Sequence, residues 1–223
     1  MKILAFDCAG SSCSAAVLDG AALVAHRFTA TDRGQAEALM PMIAATLGEA
    51  GLEAGALDAI AVTTGPGGFT GVRIGLAAAQ GLALARAIPL IGVTCFAAVV
   101  AALPEALRSE PILVALESKR DELYLQSFSP APGIPALAPF AAWQSWMPAG
   151  RFVLAGDGAP RFAAAVARDL TLAPGPGLVD AAEVARLAAS SWRPGDTPPW
   201  PRPLYLRAPD TSTPRAAAAS LAR

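Results

Sequence analysis

At 223 residues the chain is long enough to bury a substantial core, as one large domain or two small ones. Hydrophobic residues make up 54% and charged residues only 16%, which excludes wholesale disorder. The formal net charge of −1 lacks the basic surplus of a protein that grips nucleic acid alone, so any RNA in its pathway is expected to be held mainly by another subunit.

Residues 2–8 (KILAFDC), 13–18 and 21–28 read as three short strands, the last two joined by an Asp19-Gly20 turn. A helix is predicted over 34–50, with Leu39, Met42, Ile43 and Leu47 at helical spacing. Pro41 lies inside that pattern and predicts a late start or a kink. Strand 58–64 runs into the loop GPGGFTG and a helix over 72–87; strand 90–93 and helix 95–103 close the first half. The second half repeats the order loosely. Strands are predicted at 111–117, 121–128 and around 134–138, then a short helix at 141–147, strand 152–155, a Gly-Asp-Gly turn, and helices at 159–169 and 181–192. This order predicts an α/β protein of two actin-like (ribonuclease-H-like, ASKHA) lobes, with mixed sheets flanked by helices. The expected division is 1–104 and 105–208, with a loose tail at 209–223 after the proline-rich stretch that follows Trp192.

Two segments carry candidate chemistry. Asp7 ends the first strand and is followed by the small polar turn Gly10-Ser11-Ser12. In an actin-like nucleotide site such an aspartate faces metal-bound phosphates while turn amides approach the phosphate oxygens. A strand ending in a polar turn is the plainer alternative. The second segment, TTGPGGFTGVRIG at 63–75, passes from strand through glycine loop to helix start, where free amides can hold an anion, with Thr70 as the expected N-cap. No Gly-Lys-Ser/Thr closes it as a Walker loop, and no third glycine completes a dinucleotide fingerprint. Along the following helix Gly71, Gly75 and Ala79 share one face, a flat stripe suited either to a partner helix or to the chain's own sheet.

GPGGFTGVRIGLAAAQGLALARAIPLIGV resembles the signature segment of the TsaB family, and the likeness extends over FDCAGSSCSAAVLDG, ALESKRDELY and PLYLR at 203–207. The resemblance implies two actin-like lobes and a non-catalytic role. Such a subunit binds the catalytic TsaD, with TsaE joining as ATPase, in the complex that places threonylcarbamoyl on a tRNA adenosine. It implies no tightly bound cofactor and at most a weak ATP or ADP site, or one shared at an interface, formed by Asp7, Ser11, Ser12, Gly65, Gly67, Gly68 and Thr70. It places the partner surface on the first two long helices, at Leu39, Met42, Ile43, Gly71, Gly75 and Ala79. Contact with tRNA is expected only through the complex, and a homodimer is an option for the chain alone.

The departures point the same way. Gln35 stands where many members of the family carry histidine, Gly68 replaces a serine, and Glu117 and Lys119 replace aspartate and arginine. Where TsaD relatives place two metal-binding histidines four apart, this chain has Cys95 and Val99, so no metal site is expected. The single histidine, His26, falls in a strand pattern as an edge or surface residue, and residues 111–122 contain no second Asp-x-Gly phosphate turn. A small-molecule kinase of the actin-like superfamily is the alternative; a peptidase lacks a Cys–His or Ser–His pairing. Three cysteines, Cys8, Cys13 and Cys95, do not make a disulfide framework. The short apolar start and the absence of a long apolar run lead to the expectation of a cytoplasmic protein without membrane contact.

Overall fold

A computed structural model describes residues 1–129, 131–166 and 169–207; the expected tail at 209–223 lies outside the described residues. Two five-stranded sheets are built on one plan. In the first, strands β1 (Lys2–Asp7), β2 (Ser12–Asp19), β3 (Ala22–Ala30), β4 (Ala59–Thr63) and β5 (Leu90–Val93) lie in the order β3-β2-β1-β4-β5. β1 runs antiparallel to its hairpin partner β2 and parallel to β4, which is parallel to β5. The hairpin turn forms one residue later than expected: Asp19 pairs with Ala22, and the turn residues are Gly20, in the left-handed region at φ 62, and Ala21. In the second sheet β6 (Ile112–Glu117), β7 (Leu123–Phe128), β8 (Ala136–Ala138), β9 (Val153–Ala155) and β10 (Thr171–Leu172) take the matching order β10-β9-β6-β7-β8. β6 is again antiparallel to its hairpin partner and parallel to β9. The α/β class with two mixed sheets follows from local signals: continuous apolar runs for the central strands and turn residues between them.

Helices α1 (Gln35–Glu49) and α2 (Phe69–Arg86) pack on the first sheet through β2, β3 and β4. After β5 comes α3 (Cys95–Ala101), capped by the Thr94 hydroxyl on the Ala97 amide, and then a single turn, α4 (Glu105–Arg108). α5 (Ala159–Ala165) covers β6 and β9. The segment expected as helix at 141–147 is instead a 3₁₀ helix, Phe140–Trp146, which buries Trp143 against Phe162 at 5.4 Å between ring centres. The last helix, α6 (Ala181–Ser191), departs from the division expected at 104/105. It packs on β1, β2, β4 and β5, with Ala181, Val184, Ala185 and Ala188 fully buried, while α3 leaves its own sheet to touch β6 and α6. Each half thus lends its last helix to the waist between the sheets. Small residues on α6 let it sit close enough to do so.

Three further expectations are corrected. α2 begins at Phe69 with Gly68 as an extended N-cap, so Thr70 lies inside the first turn and caps nothing. α1 runs unbroken from Gln35 with Pro41 inside it on the exposed side, so the helix does not start late. The stripe Gly71, Gly75 and Ala79 faces the chain's own sheet. A Cβ on Gly71 would collide with the Cys8 carbonyl, one on Gly75 would sit 3.3 Å from the Cys8 sulfur, and Ala79 is fully buried. Leu39 and Ile43 are likewise buried and Met42 is half-buried, so these six residues form a core seam rather than a free surface. Strands parallel to their neighbours need cover on both faces, and a stripe without side chains brings α2 nearest to them.

Two glycines of one helix should therefore respond oppositely to the same substitution. Gly71→Ala forces a methyl into backbone and should cost about 2 kcal/mol of stability. Gly81→Ala meets nothing within 4 Å and should stabilise by about 0.5–1 kcal/mol. Urea unfolding of both variants measures the pair; equal signs would contradict this placement of α2.

Candidate functional site

Asp7 sits where an actin-like phosphate site would begin, but its carboxylate is fully buried and turned into the protein. Oδ1 accepts the Thr63 hydroxyl at 2.6 Å and the Ala9 amide at 3.1 Å. On the other side the Ser12 hydroxyl lies 3.3 Å from Oδ2 and 3.0 Å from the Val179 carbonyl. One hydroxyl proton cannot serve both acceptors. A protonated Asp7 removes the conflict by donating to Ser12, which then donates to Val179. Burial, only partly opposed by these hydrogen bonds, pushes the Asp7 carboxyl up to about 6.

The glycine loop closes on the same corner. Gly68 donates its amide to the Ala9 carbonyl at 2.7 Å, and a Cβ on Gly67 would collide with that carbonyl. Gly65 is in the left-handed region at φ 96, precedes a cis Pro66, and accepts the Cys95 amide at 2.8 Å. Of the residues expected to hold nucleotide, Asp7, Ser12 and Gly65 are buried and satisfied by the chain itself, and Gly67 and Gly68 rest on Ala9. Gly68 and Thr70 are exposed, and Ser11 and Gly67 are half-buried. Between the lobes the segment 177–179 fills what would be the cleft, with Gly177 packed on Gly156. The space left among Ser11, Gly67, Cys95, Glu117, Asp157 and Val179 is about 20 Å³, room for a water molecule and not for a phosphate group. In the chain alone, the residues expected to hold nucleotide form a corner largely satisfied by the chain itself.

The Gly-Asp-Gly turn is also spent on packing. Gly156, at φ 102, lies on the Ala115 carbonyl, and Asp157 accepts the Glu117 amide at 2.9 Å. Beside it opens an apolar cavity of about 510 Å³, whose walls include Val99, Leu103, Ala159 and Leu172. Cys95 and Val99 are both core residues, and among the described residues no group of three or more His, Cys, Asp or Glu is placed to hold a metal ion. His26 is half-buried on β3, its Nε2 2.7 Å from Asp180 Oδ1, and Asp180 also caps α6 through the Ala182 amide. That histidine pins the waist.

A second cluster was not singled out from the residues, although its parts are motif segments. The glycine loop, the β6–β7 turn and the strap at 204–207 converge on a cavity of about 380 Å³. Lys119, Arg120 and Arg207 line it, and among the described residues no carboxylate does. At its edge Phe69 stacks on Tyr205 at 5.4 Å, Arg73 lies 3.5 Å over the Phe69 ring, and its Nε donates to the Tyr205 hydroxyl at 2.8 Å. The signal was present in SKRD and PLYLR; what joins them is 85 residues of chain between Glu122 and Arg207, bridged by an ion pair at 2.9 Å.

The buried aspartate generates a pH dependence. The folded chain holds the Asp7 proton more tightly than an unfolded carboxyl near 3.8, so the cost of ionisation is fully present above about 6. It is relieved as pH falls through that value and is gone below 3.8. Relative to Asp7→Asn, the native chain should gain about 1 kcal/mol of stability between pH 7 and pH 5. Urea unfolding at the two pH values checks this; parallel behaviour of the two proteins would show that Asp7 does not titrate in that window.

Comparison with known proteins agrees with the fold. The family model for tRNA N6-adenosine threonylcarbamoyltransferase, TsaD, matches residues 29–130. The tRNA threonylcarbamoyladenosine biosynthesis protein TsaB of Escherichia coli is 35% identical over 124 residues, 56% of this chain and 53% of that protein. The chain thus spans about half the length of the curated TsaB relatives it matches. An uncharacterized protein of Mycobacterium tuberculosis is 32% identical over 213 residues, 93% of this chain and 92% of that one. Among solved structures, YeaZ from Pseudomonas aeruginosa superposes with a TM-score of 0.74 at 29% identity, covering 86% of this chain and 92% of its own. The ADPNP-bound activator of 2-hydroxyisocaproyl-CoA dehydratase from Clostridium difficile, at 9% identity and a TM-score of 0.54 over 85% of this chain and 95% of its own, shares the actin-like fold alone. With likeness over nearly the full length to one relative, a TsaB match over 56% of the chain and YeaZ as structural counterpart, this chain belongs to the TsaB/YeaZ family.

Proposed function

We propose that the chain is a non-catalytic subunit of tRNA threonylcarbamoyladenosine synthesis that docks a TsaD-like catalytic subunit through the outer face of α1 and α2. The observation that carries this reading is the chemistry of that face. No Asp, Glu, Lys or Arg occurs between Glu37 and Glu49 or between Arg73 and Arg86, yet the helices expose Met40, Ala44, Ala77, Gly81 and Leu84. Met40 is 48% and Leu84 73% exposed. An uncharged two-helix surface of this kind suits a helical partner. The docking residues are thus the outward neighbours of the expected set, a quarter to a half turn around each helix. Burying a few hundred Å² of apolar area contributes several kcal/mol at about 25 cal/mol per Å², before association costs.

The buried state of Asp7 supports the non-catalytic half of the proposal, because a kinase needs that carboxylate presented to the metal-bound phosphates. A TsaE-like ATPase joins the complex in this reading, and nucleotide binds, if at all, where subunits meet. A cytoplasmic location belongs to the same proposal; among the described residues no helix is long and apolar enough to cross a membrane.

Two measurements follow. Ala77→Arg and Leu84→Glu should each weaken binding of the TsaD-like subunit at least tenfold by calorimetry while leaving the melting temperature nearly unchanged, since both positions are exposed. Undiminished affinity in both would place the interface elsewhere. The purified chain alone should hydrolyse ATP far more slowly than about 1 per second, the low end of working enzymes. Faster turnover that disappears in Asp7→Ala would favour the kinase.

A further inference from the structure

We infer that the cavity between the glycine loop, the β6–β7 turn and the 204–207 strap is a contact site for single-stranded RNA, with phosphates held by Lys119, Arg120 and Arg207 and a base placed on Tyr205. The cavity is lined by three cations, Lys119, Arg120 and Arg207, two of which are held by carboxylates, Lys119 by Asp32 and Arg207 by Glu122. It is large enough, at about 380 Å³, for a sugar-phosphate unit. Its rim combines an arginine with two half-exposed aromatic rings, Phe69 at 44% and Tyr205 at 43%. Cations that follow a backbone beside an aromatic stacking platform are the chemistry by which proteins hold unpaired strands.

The backbone supplies an independent observation. Lys119 sits in the left-handed region at φ 60, where a β-carbon is unfavourable and glycine would be the relaxed choice. A lysine kept there puts its ammonium group at the cavity mouth, 3.1 Å from Asp32 on the other lobe. That pair is exposed, 46% and 77% at the two side chains, so it contributes little and a phosphate can take the place of the carboxylate. Arg207 is held at the opposite wall by Glu122 at 2.9 Å, which fixes its direction. The two arginine and lysine walls come from segments more than 80 residues apart, and the Phe69 ring is carried by a third.

The pocket chemistry points to a nucleotide unit; the choice of RNA rests on the proposed role in tRNA modification, and the test separates the two. Fluorescence anisotropy of a labelled ten-nucleotide single-stranded RNA should show binding to the native chain that weakens with salt. In the double variant Lys119→Gly, Arg120→Ser the affinity should fall at least tenfold, and the slope of log K against log salt should drop by about 1.4, two phosphate contacts for a single strand. The Lys119 change relaxes the backbone, so the melting temperature should not fall. Arg151→Ser, outside the cavity wall, should leave RNA binding unchanged, and Tyr205→Ala should abolish preference for the RNA over an abasic strand. Calorimetry with the TsaD-like subunit should give the native affinity for the double variant, so that failure of docking and failure of RNA binding are read separately. Equal RNA affinity in native and double-variant chains overturns the inference, as does tight binding of ATP without binding of the oligonucleotide.

Discussion

Backbone laid directly on backbone at the end of β1 is the constraint from which the rest of this structure follows. Gly67 and Gly71 meet the carbonyls of Ala9 and Cys8 with no side chain between them, and the Gly68 amide donates to Ala9. At Gly67 and Gly71 only glycine permits that approach, and it sets the height of α2 above the sheet. With α2 that low, Gly75 and Ala79 complete the seam against Cys8 and Val62, and Leu39 and Ile43 of α1 pack beside it. The same approach engages the Gly68 amide, one of those a phosphate loop would offer. Asp7 behind that corner is fully buried and hydrogen-bonded to Ala9, Ser12 and Thr63 of the chain rather than to solvent.

The waist reinforces this closure. α6 lies on the first sheet and α3 reaches β6, so the core runs without interruption from Ile3 through Val184 to Val153. Ser14 holds the Ala181 amide at 2.9 Å, Ser12 meets the Val179 carbonyl, and His26 meets Asp180, all joining the segment before α6 to β2 and β3. Opening a cleft wide enough for a triphosphate would strip these contacts together. Interaction chemistry is accordingly displaced to the outside, to an uncharged helical face on one side and a cationic, aromatic-rimmed cavity on another.

How much of this was legible depends on the range of the forces involved. The strand and helix order was readable because apolar period and turn residues act within a few positions, as at Gly20 and along 90–103. The 3₁₀ form of 140–146 was not, because Trp143 takes its conformation from stacking on Phe162 and from donating to the Ala138 carbonyl at 3.0 Å. Thr70 failed as a cap for a similar reason. Contact of Gly68 with Ala9, a residue of another element, moves the helix start back to Phe69. The stripe Gly71, Gly75, Ala79 was correctly seen as a close-packing face, but periodicity cannot say which surface a flat face meets.

The sequence by itself determined the α/β class, the two-sheet plan and the family, since these rest on local patterns and on motifs that survive as strings. Tertiary structure alone decided three matters: that the glycine seam is internal, that segment 177–179 fills the cleft, and that Phe69, Lys119 and Arg207 share one cavity. Each is a contact between residues more than 20 positions apart, set by which surfaces can come closest once both sheets have formed. Steric fit between distant backbones leaves no periodic trace in the chain, so no reading of neighbours along the sequence could have supplied it.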